Sequence, residues 1–160
     1  MQNRSAEQAQ QDQIWMRHAL ALARAASAAA EVPVGAIIVF DGKVIAEAAN
    51  RTIALHDPTA HAEILALRGA ALYLQNYRLT GCELFSTLEP CAMCAGALLH
   101  ARISRLVFAA PDPKAGAAGS VLSILNHPQL NHQMQVESGL CAAESSALLQ
   151  EFFRGKRERG

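Results

Sequence analysis

Residues 84–99 read LFSTLEPCAMCAGALL and predict a buried strand that leads directly into a helix. The strand covers 84–88, a short apolar run typical of buried strands. Glu89 and Pro90 end this run, and proline is favoured in the first turn of a helix, here one over 91–99. We therefore expect Cys91 in a first helical turn, with Cys94 one turn further on.

A second helix start precedes this stretch by about thirty residues. Residues 57–59, Asp-Pro-Thr, are the capping and turn residues that typically come before a helix. Apolar residues then recur at roughly helical spacing over 64–72, so His61 is expected in the first turn. His61 and Cys91 thus occupy equivalent places at the starts of two helices.

The remaining elements alternate between helices and strands. An alanine-rich helix is expected over 13–30, and Asp41-Gly42 predicts a hairpin between strands at 34–40 and from 44 onwards. Further along we expect a strand at 103–109, a short helix at 120–125, a weak strand at 133–137 and a closing helix at 142–153. This order predicts an α/β fold, a three-layer α/β/α sandwich with a mixed five-stranded sheet.

The composition is typical of one soluble domain. Of the 160 residues 51% are hydrophobic and 18% charged, and no apolar run approaches the roughly 20 residues that span a bilayer. The first residues lack the layout of a signal peptide, so we expect a cytoplasmic protein with reduced cysteines and no membrane partner. We divide the chain into a polar N-terminal extension, 1–12, and a single domain, 13–160, that ends in a basic C-terminal helix.

The two helix starts together offer one imidazole and two thiols. Zinc binds such ligands in tetrahedral geometry, and a site with three protein ligands keeps its fourth position for water or hydroxide, as catalytic zinc sites do. We therefore predict one Zn²⁺ per subunit, held by His61, Cys91 and Cys94. A structural zinc site would need a fourth protein ligand, and the spare thiols are Cys82 and Cys141. Cys82 precedes a buried strand, where a cysteine is more often a small hydrophobic residue.

Glu63 is the expected general base of this site. A carboxylate two positions after the histidine can lie beside the metal without ligating it. From there it can take a proton from water and pass it to a ring nitrogen and then to departing ammonia. His-x-Glu followed by Pro-Cys-x-x-Cys is the pattern of zinc-dependent nucleobase deaminases.

The chain resembles one deaminase family over roughly residues 13–157. The motif and its surroundings are similar to those of the bacterial tRNA-specific adenosine deaminases, which have the cytidine deaminase-like fold. The resemblance rests on residues 32–36 (VPVGA), 50–51 (NR), 56–63 (HDPTAHAE), 87–97 (TLEPCAMCAGA), 100–103 (HARI), 113–117 (PKAGA), 126–128 (NHP), 131–132 (NH) and 152–154 (FFR). Residues 13–160 are accordingly interpreted as a single zinc deaminase domain.

This resemblance implies a function and a set of site residues. It implies a homodimer that hydrolyses adenosine to inosine at the wobble position of a tRNA, an arginine tRNA, with no DNA expected as natural substrate. It assigns zinc to His61, Cys91 and Cys94, and proton transfer to Glu63. It also implies that Asn50 hydrogen-bonds the target base. We further expect substrate contacts at Val34, Ala62, Asp112, Lys114, Phe153 and Arg154.

Several of these residues have ordinary structural alternatives. Asn50 is equally typical of a turn, and Asp112 can either accept a hydrogen bond from a ribose 2′-hydroxyl or cap the turn between two prolines. The aromatic pair 152–153 is either stacked on RNA or part of the core. A basic set either lines a phosphate track or is simply solvated: Arg102, Arg105, Lys114, Arg154, Lys156 and Arg157.

Two other functions remain open from the sequence. A deaminase of free cytosine, cytidine or guanine would share the zinc ligands and Glu63 and differ in its pocket. A non-catalytic zinc-stabilised RNA-binding module would not need Glu63. Activity on tRNA rather than on free bases or nucleosides would distinguish a tRNA deaminase from the first alternative. Loss of function on substitution of Glu63 would distinguish it from the second.

Overall fold

A mixed five-stranded sheet forms the centre of the protein, as the sequence predicts. The computed structural model describes residues 2–159, and side chains over 5–158, so residues 1 and 160 of the two predicted segments lie outside it. The strands are β1 (Gly35–Phe40), β2 (Lys43–Ala49), β3 (Glu83–Leu88), β4 (Arg105–Ala110) and β5 (Gln135–Ser138), in the spatial order β2-β1-β3-β4-β5. β1 is antiparallel to β2 and β3, whereas β3, β4 and β5 run parallel.

Helices cover both faces of this sheet and confirm the three-layer architecture. They are α1 (Gln2–Ala28), α2 (Ala62–Leu74), α3 (Ala92–Ala101) and α4 (Ala142–Arg159). One buried cluster joins α1 to the strand residues Ile37, Phe85 and Val107. A larger cluster on the other face packs α2 and α3 against Ile38 and Leu84. Alternate strand residues thus serve opposite cores, as the strand period requires.

The first and last helices are longer than expected. Helix α1 runs without interruption from Gln2 through the polar residues 2–12, which are rich in glutamine and alanine and favour a helix without needing burial. Helix α4 continues past residue 153 to Arg159, through a basic segment of similarly good helix formers. No helix of the described chain combines the length and apolarity needed to cross a membrane.

The short helix predicted at 120–125 is wrong. This segment is irregular: the N–H groups of Val121 and Leu122 both bond to the carbonyl of Gly116, and Ser123 forms an isolated bridge with Ala118. The backbone N–H and hydroxyl of Ser120 both donate to a distant carboxylate, that of Glu89. Contacts far along the chain therefore override the helical spacing of the apolar residues.

The parallel strands bring the predicted motifs to one edge of the sheet. β3 and β4 are joined by α3, so the carboxyl ends of both strands lie at the same edge, where sites form in open α/β sheets. β1 begins at this edge too, because the N–H of Gly35 donates to Thr87 Oγ1 at 3.1 Å. The start of α3 and the loop after β4 therefore meet beside the start of β1.

Candidate metal centre

Three potential metal ligands converge where α2 and α3 begin. His61 is the N-cap of α2 and Cys91 the N-cap of α3, each with an extended backbone and no side-chain capping bond. Their side chains therefore point away from the helix and towards each other. His61 Nδ1 lies 3.6 Å from Cys91 Sγ and 3.4 Å from Cys94 Sγ.

The geometry fits a tetrahedral zinc ion. With Zn–S bonds of about 2.3 Å and Zn–N bonds of about 2.0 Å, tetrahedral angles place sulfur and nitrogen ligands about 3.5 Å apart. The two measured distances match this spacing, and all three ligand atoms lie within 4.8 Å of one another. Among the residues that the structure describes, the group consists of these three side chains, without a fourth protein ligand. The three-ligand prediction for zinc is confirmed at the level of geometry.

The spare cysteines lie elsewhere. Cys82 is fully buried in the core beside the start of β3, and burial raises its pKa to about 11. This protonated, inert thiol is what the sequence leads us to expect. Cys141 precedes α4 and is half-buried, and burial raises its pKa as well. Neither belongs to the group of metal ligands.

The ligand electrostatics also favour a cation. Hydrogen bonds from Cys94 and His61 lower the pKa of Cys91 to about 3, so Cys91 is the thiolate of the pair. The pKa of Cys94 is raised, because it donates a hydrogen bond to this neighbour and is buried, and that of His61 is raised by its contact with Cys91. A divalent cation between the sulfur atoms would allow both thiols to ionise.

Glu63 lies in the first turn of α2, next to the ligands but not among them. Its side chain is 4% exposed, and burial raises its pKa to about 7. The carboxyl group interacts with the thiol of Cys94. Such a buried carboxyl group can hold or release a proton near neutral pH, which is the property that general acid–base catalysis needs.

Hydrogen bonds link Asn50 to Val34 and to Ala62, the residue before Glu63. The N–H of Ala62 donates to Asn50 Oδ1 at 2.8 Å, and the N–H of Asn50 donates to the carbonyl of Val34 at 3.1 Å. Asn50 thus caps α2 in place of His61. Because this bond uses the carbonyl oxygen, the amide Nδ2 retains its donors for another partner.

The predicted RNA-contacting residues divide between two grooves. Asp112, Lys114 and Phe153 line a groove of about 850 Å³ between the loop after β4 and α4. Lys156 and Arg157 lie on the same groove, and Leu88 and Ala110 connect it to the strand ends. Arg154 instead lines a groove of about 730 Å³ between α4 and α1, together with Phe152, Lys156 and Arg24.

Asp112 has the turn-capping role that the sequence left open. Its Oδ1 accepts the backbone N–H groups of Lys114 at 3.0 Å and Ala115 at 3.2 Å. The turn therefore engages one oxygen of the carboxylate. Capping is compatible with a contact from the second oxygen to a ligand in the groove.

Arg105 is not part of a phosphate track, contrary to one of the two interpretations of the basic set. Its side chain is 10% exposed and binds Asp12 at 2.5 Å, Glu83 at 2.6 Å and Glu137. It lies at the start of β4, the opposite end of that strand from the groove. Its acidic partners lie on α1, β3 and β5, so Arg105 fastens those elements to β4.

Two buried glutamates were missed by the sequence reasoning. Glu31 is 3% exposed and accepts the N–H groups of Ile53 at 3.1 Å and Ala54 at 2.8 Å, in the loop before α2. Glu89 is 2% exposed and accepts N–H groups from the loop after β4. In the sequence, each glutamate lies one or two residues before a proline of a motif. This pattern is too general to indicate a partner far along the chain.

Comparison with known proteins identifies relatives over nearly the whole chain. Residues 9–110 match the family model described as the cytidine and deoxycytidylate deaminase zinc-binding region. The tRNA-specific adenosine deaminase of Haemophilus influenzae is 51% identical over 92% of this chain and 86% of the relative. The enzyme of the same name from Agrobacterium fabrum is 49% identical over 89% of this chain and 94% of its own.

Solved structures of deaminases are also similar to most of this chain. A structure from a study of A-to-I editing by tRNA:A34 deaminases at the wobble position has a TM-score of 0.82 and 48% identity, and the match covers 84% of this chain and 98% of that one. A guanine deaminase from Nitrosomonas europaea has a TM-score of 0.76 and 30% identity over 88% of this chain and 83% of its own.

Proposed function

The chain belongs to the tRNA-specific adenosine deaminases, within the zinc-binding cytidine and deoxycytidylate deaminase family, and we propose that its substrate is the wobble adenosine of an arginine tRNA. It is a hydrolytic enzyme and its cofactor is zinc. The observation that supports the detailed proposal best is the buried Glu63 beside His61, Cys91 and Cys94. Water and adenosine would give inosine and ammonia.

Glu63 is proposed as the proton carrier of this reaction. When bound by His61, Cys91 and Cys94, zinc supplies Lewis-acid activation of water. Glu63 accepts one proton of the water and delivers it to a ring nitrogen of the purine, and it then takes the second proton from the hydroxyl group added to the ring carbon and gives it to the departing amine, which leaves as ammonia. Its burial supports this assignment, because exclusion of solvent keeps the proton within the site.

Asn50 is proposed to recognise the purine. Its Oδ1 is held by the N–H of Ala62, so Nδ2 is oriented and can donate to an acceptor on the base. We propose that Val34 and Ala62, the two hydrogen-bond partners of Asn50, contact the base as well. An anticodon loop is single stranded, and its bases enter such a pocket at a lower cost than those of a duplex.

The groove between the loop after β4 and α4 is the proposed path of the RNA. Lys114 supplies positive charge for phosphates, and Phe153, which is 44% exposed, offers a face for stacking. Asp112 would accept a hydrogen bond from a ribose 2′-hydroxyl through the carboxylate oxygen that the turn leaves over. Arg154 borders the other groove, so its contact requires RNA that crosses α4.

A homodimer and a cytoplasmic location complete the proposal. Three apolar side chains near the end of α2 are largely exposed, Leu72 at 73%, Tyr73 at 62% and Tyr77 at 71%. Such a patch favours an interface with another protein surface. Sedimentation of the wild type and of a Leu72→Glu variant tests it: a wild-type monomer would contradict the dimer. The cytoplasm is where the proposed tRNA substrate is found.

Incubation with tRNA tests the function directly. Arginine tRNA and a mixture of free cytidine, guanine and adenosine are treated separately, and inosine at the wobble position is measured in the RNA. The proposal expects inosine in the tRNA and no turnover of the free compounds. Turnover of a free base alone would favour the alternative deaminase. Full function in a Glu63→Ala variant would favour the non-catalytic RNA-binding module.

A further inference from the structure

The buried carboxylate of Glu89 binds both ends of the loop after β4, and in the middle of the loop the N–H of Ala117 donates to the carbonyl of Pro90 at 2.8 Å. Glu89 Oε1 accepts the N–H of Asp112 at 3.0 Å, and Oε2 accepts the N–H groups of Ala118 at 2.9 Å and Ser120 at 3.1 Å. The hydroxyl of Ser120 donates to Oε1 as well. A segment without helix or strand therefore has its two ends joined at a single side chain.

Gly116 allows this carboxylate to lie inside the loop. A Cβ atom at this position would meet the Glu89 carboxyl carbon and both oxygens at distances that real Cβ contacts do not show. The φ angle of Gly116 is not in the left-handed region. Glycine is therefore needed here because it has no side chain to clash with Glu89, and not for its backbone freedom. The loop is thus built around the carboxylate of Glu89.

We propose that Glu89 is a positioning residue for the RNA substrate, since its carboxylate holds the backbone of Asp112 and so sets the wall of the groove that Asp112 and Lys114 line. This inference rests on the proposed function, because it requires RNA in that groove. Glu89 itself is 2% exposed and acts through the loop rather than on the substrate. The remaining bonds to Ala118 and Ser120 hold the far end of the loop.

Substitution by glutamine isolates the contact to Asp112. Glutamine has one oxygen and one NH₂ group, so it can accept the N–H groups on one side of the carboxylate only. With its oxygen at the Oε2 position it keeps the bonds from Ala118 and Ser120, and the Ser120 hydroxyl can turn to accept from the NH₂ group. The N–H of Asp112 then faces another donor. Glu89→Gln should therefore release the Asp112 end of the loop selectively.

The test compares kinetic constants for the anticodon stem-loop RNA of the arginine tRNA. For zinc-loaded Glu89→Gln we expect KM to rise about tenfold, as for the loss of one buried hydrogen bond, with kcat and zinc content retained. Gly116→Ala should raise KM in the same way, because its methyl group displaces the carboxylate while Glu89 is kept. This second variant preserves the test if Glu89→Gln does not fold.

Asp12→Asn is the matched control. Asp12 is also a buried carboxylate, 8% exposed, but it binds Arg105 at the far end of β4. It should lower the melting temperature and leave KM unchanged. KM values for Glu89→Gln and Gly116→Ala within twofold of the wild type would overturn the inference, as would a loss of kcat or zinc without a change in KM. A wild-type protein inactive on this RNA would overturn the proposed function itself.

Discussion

Asn50 allows its structural and recognition roles to be separated by two substitutions. Its Oδ1 accepts the N–H of Ala62 at 2.8 Å, while the N-cap residue His61 makes no side-chain capping bond. Asn50→Ala removes this cap, which costs about 1 kcal/mol. For a chain of this size that corresponds to a decrease of about 2–4 °C in melting temperature. Asn50→Asp keeps the acceptor, and its negative charge is favourable at the start of a helix.

The two variants should differ in stability and agree in activity. Both lack the Nδ2 donor, and an unpaired acceptor on the bound base costs about 1–3 kcal/mol, or roughly 5–150-fold in kcat/KM. Circular dichroism gives the melting temperature, single-turnover deamination of the stem-loop RNA gives the rate, and metal analysis confirms zinc loading. An Asn50→Asp enzyme with kcat/KM within threefold of the wild type would refute the role of Asn50 in recognising the base.

Three further predictions concern the catalytic carboxyl group, the groove and the core. Glu63→Gln should lower single-turnover rates about 10²–10⁴-fold with zinc and RNA binding retained, and near wild-type rates would contradict its proton transfer. Asp112→Asn keeps a turn-capping oxygen but loses the charge, so the ratio of kcat/KM on RNA to that on the matching DNA should fall; an equal ratio counts against ribose recognition. Gly35→Ala would place a methyl group against the backbone oxygen of Ala19 and 2.8 Å from the backbone nitrogen of Ala23, at a cost of about 1–3 kcal/mol or more and thus at least roughly 2–12 °C in melting temperature. Gly96→Ala, whose added methyl group has nothing within 4 Å, is the control, and equal melting temperatures for the two variants would disprove the close packing.

The metal ligands were predictable because local signals determine their places. Pro58 and Pro90 mark where two helices begin, and the structure has His61 and Cys91 as the N-caps of those helices. Both residues were expected in a first helical turn and lie directly before it, so their side chains are still at the start of the helix. The sequence predicted a mixed sheet but not the order of its strands, which depends on pairing between distant segments, such as the parallel pairing of β3 with β4.

The predictions that the structure contradicts fail for one physical reason, which is contact between residues far apart in the chain. The apolar spacing at 120–125 is typical of a helix, but Glu89, about thirty residues earlier, accepts the backbone N–H and the hydroxyl of Ser120. Arg105 was a plausible phosphate ligand by charge alone. Its partners Asp12 and Glu137 come from opposite ends of the chain, and no local pattern could indicate that the guanidinium is buried.

The metal ligands and the proposed RNA contacts are held by different kinds of structure. The ligands and Glu63 are attached to helix starts on a rigid sheet, whereas the groove is bounded by an irregular loop and by α4. An irregular loop leaves backbone N–H groups without a helix or sheet partner, and a buried carboxylate can accept them. Glu89 does so after β4, and Glu31 holds the loop before α2 in the same manner. The proposed RNA contacts of the groove therefore depend on a loop that a buried carboxylate stabilises, whereas the metal ligands depend on two helix starts.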